Sequence, residues 1–141
     1  MVHRVVFDTN VLVSALRSRL GASYKLLSLV DTGLFELVIS VPLIMEYESV
    51  AKRQSRQFGL TYEDIDDILD YICRVGLQRE IYFLWRPVLR DPKDDLVLEL
   101  AVESECDYLI THNLRDFKGS ENFELMVVTP RRFLEIIGQL K

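Results

Sequence analysis

Val5-Val6-Phe7-Asp8-Thr9-Asn10-Val11-Leu12-Val13-Ser14-Ala15-Leu16 passes from an apolar strand into an apolar helix, with one carboxylate at the junction. Val5 to Phe7 show no polar alternation, the pattern of a strand covered on both faces, as in a parallel sheet. Leu12, Val13, Ala15 and Leu16 recur at helical spacing. A strand over residues 4–8 and a helix over 10–19 are therefore predicted. A carboxylate at the C-terminal end of a buried strand, with a helix starting behind it, stands where open α/β sheets build their sites.

The same alternation continues outward. Residues 22–31 read as a second helix, stopped by Thr32-Gly33, and residues 35–40 as a strand. Pro42 suits the first turn of a helix over about 42–54. Gly59 breaks the chain, and Thr61-Tyr62-Glu63-Asp64 resembles a capping box that starts a helix to about residue 74. Residues 78–84 read as a strand or extended segment. A helix over about 93–105 follows Asp91-Pro92, then a strand over 107–111, a polar loop over 112–122, a strand over 125–128 and a last helix opened by Pro130. Strands alternating with helices predict an α/β fold with a mostly parallel sheet covered on both faces and right-handed crossovers.

The chain has 141 residues, enough for one compact domain spanning 1–141. Hydrophobic residues at 49% and charged residues at 28% give an ordinary soluble composition. No apolar run approaches the roughly 18–20 residues of a membrane span. The first residues enter a strand without a signal-peptide pattern, so a cytoplasmic protein is expected. Cys73 and Cys106 are isolated thiols, and neither pairs with His3 or His112 at zinc-ligand spacing. A net charge of −5 argues against generic nucleic-acid binding. It leaves room for a nuclease, because an acidic cluster can be neutralised by a divalent cation.

Asp8 is the sharpest chemical candidate, since an ionised carboxylate near a core is costly unless paired or metal-bound. Its plainer role is to cap the following helix, which Thr9 or Asn10 could do equally well. Leu43, Ile44, Tyr47, Val50 and Ala51 form one helical stripe, with Glu46 on one border and Glu48 on the other. Pattern alone does not choose between these two acids. The place of Glu46 nearer the helix N-terminus favours it. At about 100° per residue, Asp95 aligns with Glu99 and Glu103 on a polar stripe expected to face solvent, whereas Asp94 aligns with Val97, Leu98 and Ala101. Thr111-His112-Asn113 lies at another strand end, with Asp116 a short loop away. Asn113 offers a neutral oxygen, and His112 reads as a solvated loop histidine. Several carboxylates from distant segments that can converge on one point suggest a site for Mg²⁺ or Mn²⁺, which prefer hard oxygen ligands. No Ser/His/Asp elbow, phosphate-binding P-loop or Gly-rich dinucleotide fingerprint is present.

Together with Ser40-Val41-Pro42-Leu43-Ile44-Met45-Glu46, Asp91-Pro92-Lys93-Asp94-Asp95 and Asp107-Tyr108-Leu109-Ile110-Thr111-His112-Asn113-Leu114-Arg115-Asp116-Phe117, the opening stretch resembles the PIN-domain ribonucleases, in particular the VapC-like toxins of prokaryotic toxin–antitoxin systems. Each piece alone is weakly specific, but the ordered set covers nearly the whole chain. The resemblance implies a three-layer α/β/α sandwich and a metal-dependent ribonuclease in which Asp8, Glu46 and Asp94 hold Mg²⁺ or Mn²⁺. It implies support from the Thr9 hydroxyl and from Thr111. Family members often carry a fourth acid where this chain has Asn113; either three acids suffice here or Asp116 substitutes. The implied partners are an RNA substrate, a cognate antitoxin filling the active-site groove and a second copy in a homodimer. The apolar stripe Ile65, Ile68, Leu69 and Ile72 reads mainly as core, with an edge that could join such a dimer. Arg17, Arg19, Lys25, Lys52, Arg53 and Arg56 are candidate RNA contacts.

Three other readings compete. A haloacid-dehalogenase-like phosphatase needs a second Asp two residues after the first, where this chain has Asn10. A response-regulator receiver domain expects a late Lys that Thr111-His112-Asn113 lacks. A PIN-like scaffold that binds RNA or protein with weak or no cleavage fits Asn113 and the acidic balance, and would tolerate loss of Asp8 or Asp94.

Overall fold

The structure, a computed structural model, describes residues 2–81 and 88–140, without the side chain of Asn122. Its elements are β1 (His3–Phe7), α1 (Thr9–Arg17), α2 (Ala22–Ser28), β2 (Phe35–Ile39), α3 (Val41–Arg53), α4 (Ser55–Phe58), α5 (Tyr62–Val75), β3 (Leu77–Gln78), α6 (Pro92–Glu103), β4 (Tyr108–Ile110), β5 (Met126–Val128) and α7 (Pro130–Ile136). Two short 3₁₀ turns, Leu114–Phe117 and Ser120–Asn122, occupy the loop between β4 and β5.

Among the described residues the strands form one parallel sheet in the order β3-β2-β1-β4-β5. The chain builds outward from β1 to β3 on one side, then returns to place β4 and β5 on the other. The direction of winding reverses between β1 and β4, and the C-terminal edge at such a switch point is where open α/β sheets form a crevice. Val5, Val6 and Phe7 point alternately to opposite faces, and all three are buried. Both faces of the sheet are therefore covered, which makes the α/β/α layering. On α7, Phe133 meets Phe35 and Tyr108 edge-on, with ring centroids 5.4 and 5.3 Å away. Among the described residues no helix is long and apolar enough to cross a membrane.

Local chemistry fixes the helix starts near this edge. Ser40 accepts from the Leu43 N–H to cap α3, and Asp91 accepts from the Lys93 N–H to cap α6. Thr61 and Asp64 form the expected reciprocal capping box of α5. The apolar stripe of α5 goes into the core, with Ile65, Leu69 and Ile72 buried and Ile68 packed against them.

Some boundaries differ from the sequence reading. The second helix ends at Ser28, because the chain folds into successive turns from Leu26 to Thr32. The predicted 42–54 helix is followed at once by the short α4, which closes on Gly59 in the left-handed conformation (φ 69°). The predicted 78–84 strand is a two-residue β3 at Leu77–Gln78; beyond it the Arg79 N–H still bonds the Ile39 carbonyl at 2.8 Å, and residues 82–84 lie outside the described residues.

Gly76 joins α5 to β3 at a close approach. A Cβ there would stand 2.8 Å from the Ile72 carbonyl oxygen and 3.0 Å from Ile39 Cδ1. Gly76→Ala should destabilise the fold by about 1–3 kcal/mol, the usual range for overpacking. Gly21→Ala, whose Cβ would meet nothing closer than 3.9 Å, should cost less, about 0.5 kcal/mol, through the poorer N-cap that Ala makes for α2. Denaturant unfolding of the two variants checks this; equal midpoints would contradict the close-approach argument.

Candidate active site

Parallel pairing sets Phe7 against Ile110, so the residues that follow, Asp8 and Thr111, emerge side by side at the switch point. The Asp8 N–H continues the ladder to the Ile110 carbonyl at 2.9 Å. Asp8 is only 6% exposed, and three donors meet its carboxylate. The Thr9 backbone N–H lies 2.8 Å from Oδ1. The Thr111 hydroxyl is 2.7 Å and the Asn10 amide 3.2 Å from Oδ2. Three donors use three of the roughly four lone-pair positions of a carboxylate and leave one on Oδ1. Asp8 is also the N-cap of α1, so the capping and chemical roles fall on one residue, although Thr9 and Asn10 were equally able to cap.

Asn10 closes the network. Its amide also donates to Thr111 Oγ1 at 3.2 Å, and its Oδ1 accepts from the His112 N–H at 3.1 Å. The Asn113 N–H donates to Thr111 Oγ1 at 3.0 Å. His112 shares a 2.7 Å hydrogen bond with the buried Ser23 hydroxyl, and partial burial lowers its pKa. It remains exposed, as the sequence suggested, and is tied to α2 by this bond. Asn10 and Ser23 were not singled out from the sequence. The one available signal was the position of Asn10, two residues after Asp8 on a helix start.

Asp94 stands in the first turn of α6, above the buried Val97, Leu98 and Ala101, as its helical alignment predicted. Its carboxyl is pushed up to about 7, first by burial and then by the charges of Asp8, Asp116, Asp91 and Asp95. The Asp8 pKa is raised by burial, against the pull of Thr111 and Thr9, with Asp116 and Asp91 adding repulsion. Asp91 and Asp116 act on both Asp8 and Asp94, which places the four acids in one electrostatic cluster. Asp91, Asp94 and Asp116 line a groove of ≈ 670 Å³ with Val88, Leu89, Arg90, Arg115 and Lys118.

Glu46 is partly buried on α3 and pairs with Lys93, the neighbour of Asp94, at 3.5 Å. Glu48 turns away to Lys52 at 3.2 Å. Asp95 corrects the expectation of a solvent-facing stripe. It is partly buried, and its Oδ1 accepts from the Val88 and Leu89 N–H groups at 3.2 and 3.0 Å, which fixes the segment leading into α6. Support for Asp8 from Thr9 comes through the backbone N–H, and the supporting hydroxyl is that of Thr111.

Residues 4–115 match the family model of the PIN domain. The chain belongs to the PIN domain family. PIN domains are generally nucleases. Among solved structures, a chain of VapBC2 from Rickettsia felis, solved bound to a DNA fragment from their promoter, superposes with a TM-score of 0.60. The likeness spans 88% of this chain and 98% of that one at 17% identity, so it concerns the fold alone. A search of curated protein sequences finds no match.

The donor set suits a hard divalent cation. It is built from carboxylate oxygens, and the raised Asp94 carboxyl marks a cluster in need of positive charge. Among the described residues, no three His, Cys, Asp or Glu side chains already stand as a metal cage, so waters would complete any coordination shell.

Asp94 makes stability pH-dependent. The folded protein keeps the Asp94 proton up to about pH 7, whereas an ordinary Asp loses it near 3.8. The native state thus binds more protons across this window, and stability falls as pH rises through it. Asp94→Asn removes that term, so its gain in Tm over wild type, in EDTA, should be larger at about pH 8 than at about pH 5. An equal difference at the two pH values would contradict the cluster.

Proposed function

We propose that this chain is a metal-dependent endoribonuclease that hydrolyses RNA phosphodiester bonds, and that it is the toxin of a VapC-like toxin–antitoxin pair. One observation carries the reading: a buried, hydrogen-bonded Asp8 and a repelled Asp94 share the C-terminal edge of the sheet at its switch point. Membership of the PIN domain family and the VapBC2-like fold support it. In this reading the partners are RNA, a cognate antitoxin over the groove and a second copy of the chain. The location is cytoplasmic.

Asp8, Glu46 and Asp94 would hold Mg²⁺ or Mn²⁺, Glu46 by giving up its pair with Lys93. Asp116, which lines the groove with Asp94, would take the further acid's place in preference to Asn113, which is not among the residues lining it. The cation, when bound, supplies Lewis-acid charge beside the scissile phosphate. Thr111, Asn10 and the Thr9 N–H keep Asp8 in one orientation, so the carboxylate need not reorganise as the reaction proceeds. In this reading the carboxylates would position both the cation and the attacking water. A dedicated histidine base is therefore not required in this reading.

The test is cleavage of a mixed labelled RNA pool with Mg²⁺, Mn²⁺ or EDTA. Wild type should cut with either metal and not with EDTA. Asp8→Asn and Asp94→Asn should each lose about 100-fold or more, the scale of losing an electrostatic stabiliser. Asp95→Asn keeps an acceptor oxygen for Val88 and Leu89 and should retain most activity. Folded wild type that cuts nothing with either metal, yet binds RNA equally well with Asp8→Asn, would favour the PIN-like binding module.

A further inference from the structure

The walls of the acidic groove carry three cations that were absent from the sequence-based set of RNA contacts: Arg90, Arg115 and Lys118. Among the described residues, none of their side chains forms an ion pair or hydrogen bond, although Asp91, Asp94 and Asp116 line the same groove. Several of the cations named from the sequence are otherwise engaged: Lys52 with Glu48 and Asp66, Arg17 with Gln54, Arg53 with Ser49 and Lys25 with the Gln139 carbonyl.

Both walls are anchored. Arg90 directly precedes the α6 cap Asp91, and the two residues before it are tied to Asp95 through their N–H groups, with Leu89 buried at 7% exposure. Arg115 lies in, and Lys118 directly follows, a 3₁₀ turn pinned by Phe117, which is 2% exposed. The stems of these cations therefore start from fixed backbone on two separate segments that line the groove with Asp94, so less ordering is needed when a ligand binds.

We propose that Arg90, Arg115 and Lys118 form the track that grips the RNA backbone on either side of the phosphate presented to Asp8 and Asp94. This inference rests on the ribonuclease reading above. A polyanion reaching an acidic cluster in a chain of net charge −5 needs local positive charge. The occupant is a single strand, because the acids lie inside a groove and a strand can follow it with its phosphates on the walls. The groove is lined by Val88 and Leu89 and by charged groups, with no aromatic ring among its described lining residues. The track therefore positions the strand without reading its bases.

The experiment measures binding of labelled single-stranded RNA of mixed sequence, about 20 nucleotides long, in EDTA between about 50 and 200 mM salt. The variants are R90Q/R115Q/K118Q and a control, R74Q/R131Q/R132Q, which removes the same charge from surface sites outside the groove. The groove variant should bind about 10- to 100-fold more weakly at the lower salt, and its log–log salt slope should flatten by about 2. The control should stay within about threefold of wild type. Unchanged slope and affinity in the groove variant, or equal losses in both variants, would overturn the track while leaving the ribonuclease reading in place. Wild type that binds no RNA would overturn both. Duplex DNA of the same length that binds as tightly as the single strand, and loses as much in the groove variant, would overturn the single-strand assignment.

Discussion

A carboxylate held almost out of water at the end of a two-faced strand is the constraint around which this site is arranged. Val5, Val6 and Phe7 must be buried for the sheet to be covered on both sides, and that burial carries Asp8 with them. An unpaired ionised carboxylate in that setting would be strongly unfavourable. The neighbouring groups answer it: the Thr9 N–H, the Asn10 amide and the Thr111 hydroxyl converge on its two oxygens. Because Thr111 ends β4 and Asn10 begins α1, the same bonds lock the switch point of the sheet. The folding requirement and the preorganisation of the site are therefore one set of contacts.

Asp8 does not stand alone in its field. Asp94, at the start of α6, is raised to about 7 by burial and by a ring of acids that includes Asp8 itself. A carboxyl whose ionisation is discouraged by neighbouring acids is a poor arrangement for stability and a suitable one for binding a cation. The surrounding cations fall into two kinds. Lys93 and Lys52 are committed to carboxylates, whereas Arg90, Arg115 and Lys118 line the groove without such partners among the described residues. This division leaves three cations on the walls of the groove, beside the acids that line it.

Much of this was legible in the sequence, for identifiable reasons. Fully apolar strands and capped helices gave the parallel α/β order, because burial on two faces leaves no polar alternation to misread. The face of Asp94 was legible because its helix neighbours Val97, Leu98 and Ala101 are all buried. Asp95 was misread for the complementary reason. Helical periodicity describes one helix, and the groups that capture Asp95 belong to the preceding segment at Val88 and Leu89. Ser23 left no pattern and Asn10 only its position beside Asp8, since their partners His112 and Thr111 come from far along the chain and only the fold brings them together. Glu46 over Glu48 was undecided by periodicity; the structure separates them by their partners, Lys93 for one and Lys52 for the other.

The central claim is that Asp8 and Asp94 form one cation site at the switch point. Its most direct test is an anomalous-difference map from crystals of the wild-type chain grown with Mn²⁺. The account predicts a peak bonded to oxygens of both Asp8 and Asp94, and no such peak in Asp8→Asn crystals grown the same way. Well-ordered wild-type crystals in which Mn²⁺ sits away from both carboxylates, or is absent at saturating metal, would contradict it.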